Sequence, residues 1–155
     1  MTVLIAGGGI AGLALGLTLH EIGVPFRVFE SRQVVRPLGV GINIQPNASR
    51  ELIAMGLEGD LDAIGVRTRE YGFYSKYGLE IWVEPRGAAA GYHWPQYSIH
   101  RGHLQMLLFR ALVERAGMAS IVCGARAQSV TPTARGVRLH TTEGAFEGDV
   151  LIACD

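Results

Sequence analysis

Residues 1–30 combine an apolar run, a glycine-rich turn, a helix-forming stretch and a second apolar run that ends in a carboxylate. Val3–Ala6 suits a buried parallel strand, and Gly7, Gly9 and Gly12 follow it directly. In such a strand–turn–helix unit the first glycine permits the tight turn, and the second lets the backbone approach a pyrophosphate at the helix N-terminus. The third lets helix and sheet pack closely. The sequence therefore predicts a dinucleotide site on a Rossmann-like unit.

The second apolar run ends at a residue that suits the same site. Residues 26–29 lead into Glu30, which lies about 20 residues beyond the glycines, where an acceptor for a ribose 2′-OH is required. Gly16 and Gly23 continue the series, and the spacing is similar to the FAD fingerprint of the glutathione-reductase type. We therefore predict an α/β fold, a Rossmann-like FAD-binding domain of that type.

The same N-terminal stretch also fits two membrane-related interpretations. Residues 3–19 are nearly all apolar, and Gly8, Gly12 and Gly16 have the spacing of a GxxxG membrane helix. However, no basic segment precedes the run, and it is shorter than the roughly 20 residues that a bilayer requires. Its many glycines favour a turn over a spanning helix or a signal peptide. We expect no membrane segment.

Composition excludes several classes of partner. The chain has 155 residues, 48% of them apolar, and its 14 basic residues balance 14 acidic ones. It has no electrostatic footprint for nucleic acid or an anionic membrane, so a small-molecule partner is expected. Cys123 and Cys154 both lie in apolar runs, where a buried free thiol is the usual state, so no disulfide framework is expected. The chain shows no signal peptide, which favours the reducing cytoplasm as its location. No Cys or carboxylate set joins His100 and His103, so we predict no metal site.

The rest of the chain predicts mixed helices and strands, with a parallel sheet plus antiparallel strands. We expect a loop over residues 31–47, a helix that is capped by Asn47 and stops at Gly56, a short helical turn over 61–64 and a second loop over 86–94. Residues 66–82 predict two antiparallel strands, and most aromatic side chains there are expected to pack in strands and core. A strand over 97–99 precedes a helix ending near Gly117, and further strands are predicted over 121–122, 127–130, 137–140 and 150–153.

Two further stretches carry a recognisable pattern. They are RPLGVGINIQP over residues 36–46 and YSIHR over residues 97–101. Together with the glycine motif they make the chain resemble the single-component FAD-dependent aromatic hydroxylases of the salicylate and para-hydroxybenzoate hydroxylase type. Within that family it looks most like the phenazine-modifying monooxygenases of pyocyanin synthesis. The resemblance extends over residues 1–155.

The resemblance implies a set of FAD contacts. Glu30 would bind the adenosine ribose hydroxyls, residues 9–12 the pyrophosphate, and Arg101 the FAD phosphates, which a guanidinium fits bidentately. For Arg101 the alternative is a solvated surface arginine, and for Gly39 and Gly41 it is plain loop flexibility. The complete set of cofactor-binding candidates is Gly7, Gly9, Ile10, Ala11, Gly12, Glu30, Ser31, Arg36, Gly41, Arg101, Ala127 and Asp155. Asp155 resembles the aspartate of the family's Asp-Gly motif, although Ala153 and Cys154 stand where Gly and Ala are commoner.

The resemblance also implies a reaction. NAD(P)H would reduce FAD, O₂ would give a C4a-hydroperoxyflavin, and one oxygen would pass to an aromatic or N-heteroaromatic ring that carries a carboxylic acid. The cofactor supplies this chemistry, so no catalytic side chain is named. Two alternatives remain open: an NAD(P)-linked dehydrogenase that shares only the Rossmann unit, and an inert nucleotide-binding fragment. The exact substrate, NADH or NADPH use and the formation of a homo-oligomer stay open as well.

The last predicted strand gives an expectation about domain organisation. Residues 150–153 read as a buried strand, and Asp155 would lie at its carboxyl end, where ligands bind in open α/β sheets. A natural domain seldom stops there. We therefore expect residues 1–155 to be the N-terminal part of an FAD-binding domain that is incomplete at its C-terminus. Residues 66–99 would reach toward a substrate domain beyond it.

Overall fold

The computed structural model describes residues 1–154, and it divides the chain into two compact units. The first unit consists of two segments, Met1–Pro37 and the residues from Gln105 onward, and the second is Leu38–Leu104. In chain order the elements are β1 (Val3–Ala6), α1 (Ile10–Glu21), β2 (Phe26–Glu30), β3 (Gly41–Ile44), α2 (Pro46–Ala54), α3 (Glu58–Ile64), β4 (Gly65–Thr68), β5 (Glu70–Tyr74), β6 (Glu80–Pro85), β7 (Gln96–His100), α4 (Arg101–Ala116), β8 (Ile121–Cys123), β9 (Ala127–Thr133), β10 (Gly136–Thr141), β11 (Gly144–Gly148) and β12 (Val150–Ala153). No helix within residues 1–154 has the length and apolar character needed to cross a membrane.

The first unit is built around a four-stranded parallel sheet. Its strand order is β12-β1-β2-β8, so β1 is a central strand, and all four of its residues are buried. This confirms the predicted parallel sheet. Since the four strands run in one direction, the segments that follow them meet at the same edge of the sheet.

The two faces of this sheet are covered differently. Leu4 packs with Phe29 and Leu139 beneath the antiparallel sheet β9-β10-β11, which confirms the predicted antiparallel strands. Its neighbour Ile5 faces α1, because a Cβ added at Gly12 of that helix would lie 3.3 Å from Ile5 Cγ2. Successive residues of a strand point to opposite faces, so β1 contributes to both halves of the core.

The second unit contains an antiparallel sheet in the order β3-β7-β4 and a separate hairpin of β5 and β6. Tyr97 is fully buried, and its hydroxyl donates a 2.7 Å hydrogen bond to Asp62 Oδ1. Arg67 donates to both oxygens of Asp62 at 2.7 Å and to Glu58 at 2.8 Å. The Arg67 guanidinium lowers the pKa of Asp62, and burial raises the pKa of Tyr97 to about 12. This network ties α3 to β4 and β7.

Several elements differ from the sequence-based expectations. Gly41–Ile44 forms β3 inside the predicted loop, because it pairs with β7, which lies far along the chain. Helix α2 begins at Pro46 instead of being capped by Asn47, and proline suits the first helical position because its missing N–H is not needed there. Strand β11 was not predicted.

The aromatic residues of the hairpin also differ from the core packing expected for them. Phe73 contacts both Tyr71 and Trp82 on the hairpin of β5 and β6, but Tyr71, Phe73 and Trp82 are 43%, 48% and 45% exposed. A two-stranded ribbon has no second layer of its own to bury such side chains. Strand formation was predicted correctly there, and the burial was not.

Candidate cofactor-binding site

The turn between β1 and α1 requires glycine at two positions for reasons internal to the fold. Gly7 has φ +114°, a left-handed conformation that side chains disfavour. At Gly12 an added Cβ would lie 1.9 Å from the carbonyl oxygen of Gly7, where no atom fits. Gly7 and Gly12 therefore set the path of the chain from strand to helix.

Gly9 is different, because the protein itself does not require glycine there. Its φ of −76° and ψ of −174° are open to any residue. A Cβ added at Gly9 would meet nothing closer than the Cys154 carbonyl oxygen at 3.8 Å, which is ordinary van der Waals contact. The space beside Gly9 is thus open, as the close approach of a ligand to the backbone demands.

The first backbone donors of α1, which begin at Gly9, have no partners within residues 1–154. The N–H groups of Gly9, Ile10 and Ala11 donate no hydrogen bond within the described residues 1–154. Helix α1 has no side-chain cap at Gly9 and no acidic residue in its first turn. Free N–H groups and the positive end of the helix dipole together favour an anion, such as a diphosphate.

Glu30 lies at the end of β2 and is held by three protein donors. Its Oε2 accepts a 2.9 Å hydrogen bond from the N–H of Gly8, and its Oε1 accepts from the N–H of Arg32 at 2.7 Å and the hydroxyl of Ser31 at 3.1 Å. A carboxylate offers about four lone-pair directions, so it retains capacity for a further donor. Glu30 therefore ties the glycine turn to the end of β2 as well as offering an acceptor.

Cys123 lies opposite Glu30 in the adjacent strand β8. Burial, with the negative charge of Glu30, raises the pKa of the Cys123 thiol. A thiol with a raised pKa stays protonated at neutral pH and is a poor nucleophile.

Gln105 is a contact that sequence reasoning missed. It lies on α4, is half-buried, and its Nε2 donates a 2.9 Å hydrogen bond to the carbonyl oxygen of Gly8. Gly8 is thus held through its N–H by Glu30 and through its carbonyl by Gln105. A lone glutamine near the start of a helix carries no sequence signal for this role, because the partner is 97 residues away.

Two candidates belong to the second unit, where they lie at the join between β7 and α4. Arg101 is exposed, and its backbone N–H donates to the carbonyl oxygen of Val40 at 2.9 Å. Its side chain runs beside Gly39, where an added Cβ would lie 3.4 Å from Arg101 Cβ. Gly41 pairs with His100 at the start of β3. In the part of the chain that the structure describes, the Arg101 guanidinium makes no ion pair or hydrogen bond.

The remaining candidates have fewer contacts. Arg36 is exposed in an irregular segment. Ala127 is exposed at the start of β9, three residues after Gly124, whose N–H donates to the Arg32 carbonyl oxygen at 3.0 Å. Asp155 lies outside the described residues. Among residues 1–154, no three His, Cys, Asp or Glu side chains cluster as a metal site would need.

Comparison with known proteins identifies the class to which this fold and glycine turn belong. A family model described as FAD binding domain matches residues 1–155, and the chain belongs to this family. It is 44% identical over 161 residues to phenazine 1,6-dicarboxylic acid hydroxylase PhzS of Lysobacter antibioticus, which covers 99% of this chain and 40% of that protein.

A more distant relative agrees with this assignment, and a solved structure shows the same fold. The chain is 33% identical to 3-amino-4-hydroxybenzoate 2-monooxygenase of Streptomyces cremeus, over 99% of the chain and 39% of that protein. The structure superimposes on Klebsiella pneumoniae HpxO complexed with FAD and uric acid with a TM-score of 0.81 and 23% identity, covering 100% of this chain and 39% of that one. The chain thus spans about 40% of the length of the curated relatives named here.

Proposed function

We propose that this chain forms the FAD-binding part of a monooxygenase that uses NAD(P)H and O₂ to hydroxylate an aromatic or N-heteroaromatic carboxylic acid. The observation that carries the proposal is the open space beside Gly9. Unpartnered N–H groups border that space, and a fixed Glu30 carboxylate holds the neighbouring Gly8, in a chain that matches the FAD binding domain throughout.

The residues present fit this cofactor. The N–H groups of Gly9, Ile10 and Ala11 would hold the diphosphate, which complements their partial positive charge. The remaining acceptor capacity of Glu30 would bind ribose hydroxyls, with the Ser31 hydroxyl beside it. FAD, when bound, would supply the electron transfer from NAD(P)H and the reaction with O₂.

Five further residues complete the proposed cofactor contacts. Arg101 would hold FAD phosphate, because its guanidinium is exposed and unpaired within residues 1–154. The backbone of Ala127 would contact the adenine, since its exposed side chain imposes no requirement. Arg36 and Gly41 would lie near the flavin and its ribityl chain, and Asp155 near the pyrophosphate. We propose residues 1–155 as the N-terminal part of the FAD-binding domain, with 66–99 reaching toward a substrate domain.

The substrate class is proposed from the named relatives. One is a hydroxylase of phenazine 1,6-dicarboxylic acid, and another a monooxygenase of 3-amino-4-hydroxybenzoate. Both names denote aromatic carboxylic acids. A small aromatic acid and O₂ are therefore the proposed partners of the whole protein, in a cytoplasmic setting and with a homo-oligomer as one arrangement to test.

Optical spectroscopy of the purified protein tests the proposal. We expect an oxidised-flavin absorbance spectrum that survives desalting. With NAD(P)H and a panel of phenolic and N-heteroaromatic acids, the full-length protein should consume O₂ and release hydroxylated product. A folded protein that takes up NAD(P) and no flavin would support the dehydrogenase alternative instead. Flavin binding without oxygenated product from any acid in the panel would contradict the proposed substrate class.

Arg101→Ala is expected to weaken FAD binding by about tenfold or more, because hydrogen bonds to charged groups contribute roughly 1.5–3 kcal/mol. Arg101→Lys should restore only part of the affinity, since lysine keeps the charge but lacks the planar fork. Titration of apoprotein with FAD, followed by quenching of flavin fluorescence, measures both. The matched control is Arg110→Ala, which removes another exposed arginine of α4. Equal affinity in all four proteins would refute the phosphate role.

A further inference from the structure

The Gly8–Gly9 peptide group is held by a side chain from a distant part of the sequence. Gln105 Nε2 donates to the Gly8 carbonyl oxygen at 2.9 Å. Residues 1–154 contain no cis peptide bond, so the carbonyl of Gly8 and the N–H of Gly9 point in opposite directions across this planar group. The contact with Gln105 therefore also sets the direction of the Gly9 N–H, which points away from Gln105.

The orientation of this peptide is not fixed by local sterics. Glycine lies on both sides of it, and glycine tolerates backbone conformations of either hand. A rotation of the peptide plane would exchange the two groups and direct the Gly8 carbonyl oxygen where the Gly9 N–H now lies. An anion beside Gly9 would then meet a negative dipole instead of a donor. Gly9 has free space beside it and an unpartnered N–H. The orientation of the Gly8–Gly9 peptide therefore determines whether an anion that binds there meets a hydrogen-bond donor or a carbonyl oxygen.

The hydrogen bond from the Gly8 N–H to Glu30 does not fix the orientation of the Gly8–Gly9 peptide. Glu30 accepts from the Gly8 N–H, which belongs to the preceding peptide group between Gly7 and Gly8. The Gly8 carbonyl belongs to the Gly8–Gly9 peptide group, and its hydrogen-bond donor is Nε2 of Gln105. An uncharged amide suits this place, since it donates without bringing a carboxylate close to the bound anion.

We propose that Gln105 is a positioning residue that fixes the Gly8–Gly9 peptide so that the Gly9 N–H is presented to the diphosphate of the cofactor. The proposal rests on the proposed function in that it takes FAD as the ligand of the glycine turn. Gln105 acts through the Gly8 carbonyl and makes no contact with the cofactor in this account.

Two variants of Gln105 test the proposal in the full protein. Gln105→Leu keeps most of the side-chain volume and removes the donor, and we expect the Kd for FAD to rise roughly three- to tenfold, as the loss of one hydrogen bond predicts. Gln105→Glu has a donor only when protonated. Its Kd should exceed that of the leucine variant at pH 8 and should fall toward the wild-type value as the pH approaches about 4.5, near the pKa of a carboxyl group.

The pH series distinguishes positioning from a general loss of structure. Glu30, which accepts from Gly8, and Cys154, which lies beside Gly9, are present in both variants, so a comparison of the two Kd values at each pH reports on residue 105. Loss of the charge alone would bring the Kd of Gln105→Glu only down to that of Gln105→Leu at low pH, whereas a recovered donor brings it below that value. A role without a donated hydrogen bond would therefore leave the two variants with equal Kd values at low pH. Gln128→Leu, at an exposed glutamine of β9, serves as the control for glutamine removal and should bind FAD normally.

A measurement without cofactor tests the peptide directly. The ¹⁵N resonance of Gly9, which shares the peptide group with the Gly8 carbonyl, should shift in Gln105→Leu and stay in place in Gln128→Leu. Normal FAD affinity in both Gln105 variants, with thermal unfolding unchanged, would overturn the inference. Failure of the wild-type protein to bind FAD is a different result: it would overturn the proposed function and, with it, the inference.

Discussion

Gly12→Ala is expected to lower the free energy of unfolding by about 3 kcal/mol or more, at or above the upper end of the usual cost of overpacking. The added Cβ would lie 1.9 Å from the carbonyl oxygen of Gly7 and 3.1 Å from its carbon. Both are backbone atoms of the turn, so no side chain can rotate away to make room. Urea denaturation followed by circular dichroism measures the change, and FAD binding should be lost together with the native turn.

Two other glycines supply the comparison. Gly59 lies within α3 with nothing within 4 Å of an added Cβ, so Gly59→Ala should stabilise the protein by about 0.5–1 kcal/mol, as alanine does in a helix. Gly9→Ala should unfold within about 1 kcal/mol of wild type, because its nearest neighbour is 3.8 Å away, and yet lose FAD affinity. Wild-type stability in Gly12→Ala, or wild-type FAD affinity in Gly9→Ala, would contradict this division of roles.

Glu30→Ala is expected to reduce FAD affinity by about ten- to a hundredfold, since charged hydrogen bonds contribute roughly 1.5–3 kcal/mol. The substitution removes the proposed ribose acceptor. It also releases the Gly8 N–H, which now donates to Glu30 Oε2 at 2.9 Å. Isothermal titration of the apoprotein with FAD measures the loss.

Glu30→Gln separates these two contributions. Glutamine retains one acceptor oxygen and the length of the side chain but loses the charge, so it should bind FAD with an affinity between those of wild type and Glu30→Ala. Glu21→Ala, at an exposed glutamate near the end of α1, is the matched control and should leave binding unchanged. Unaltered FAD affinity in a folded Glu30→Ala variant would show that the acid serves only to anchor the turn.

The sequence predicted those parts of the site that are encoded locally. The roles of Gly7 and Gly12 follow from a spacing of a few residues between one strand and the next helix, and so does the place of Glu30 at the end of β2. The parallel sheet was predictable for the same reason, because each of its strands is a short apolar run with clear ends.

The features that could not be predicted depend on pairing between distant segments. Nothing in the sequence near Gln105 indicates that its side chain donates to Gly8, which is 97 residues away. Likewise, nothing near Gly41 indicates that β3 pairs with β7, because β7 lies far along the chain. The sequence also does not indicate that the Glu30 carboxylate accepts hydrogen bonds from the N–H groups of Gly8 and Arg32. For Tyr71, Phe73 and Trp82 the strand propensity was right, but propensity does not tell whether a second layer covers the strand.

The position of β1 between β12 and β2 has a consequence for how the protein is made. Strand β1 precedes the other strands described here in the chain, yet it pairs Val3 with Val150 of β12, and such long-range parallel pairing forms slowly. The second unit is one continuous segment, whereas the first is completed only after residues 105 onward have been translated. Until β12 has been synthesised and has paired with β1, the apolar edge of β1 is exposed to other chains. We expect the glycine turn to reach its final geometry only after β12 has paired with β1.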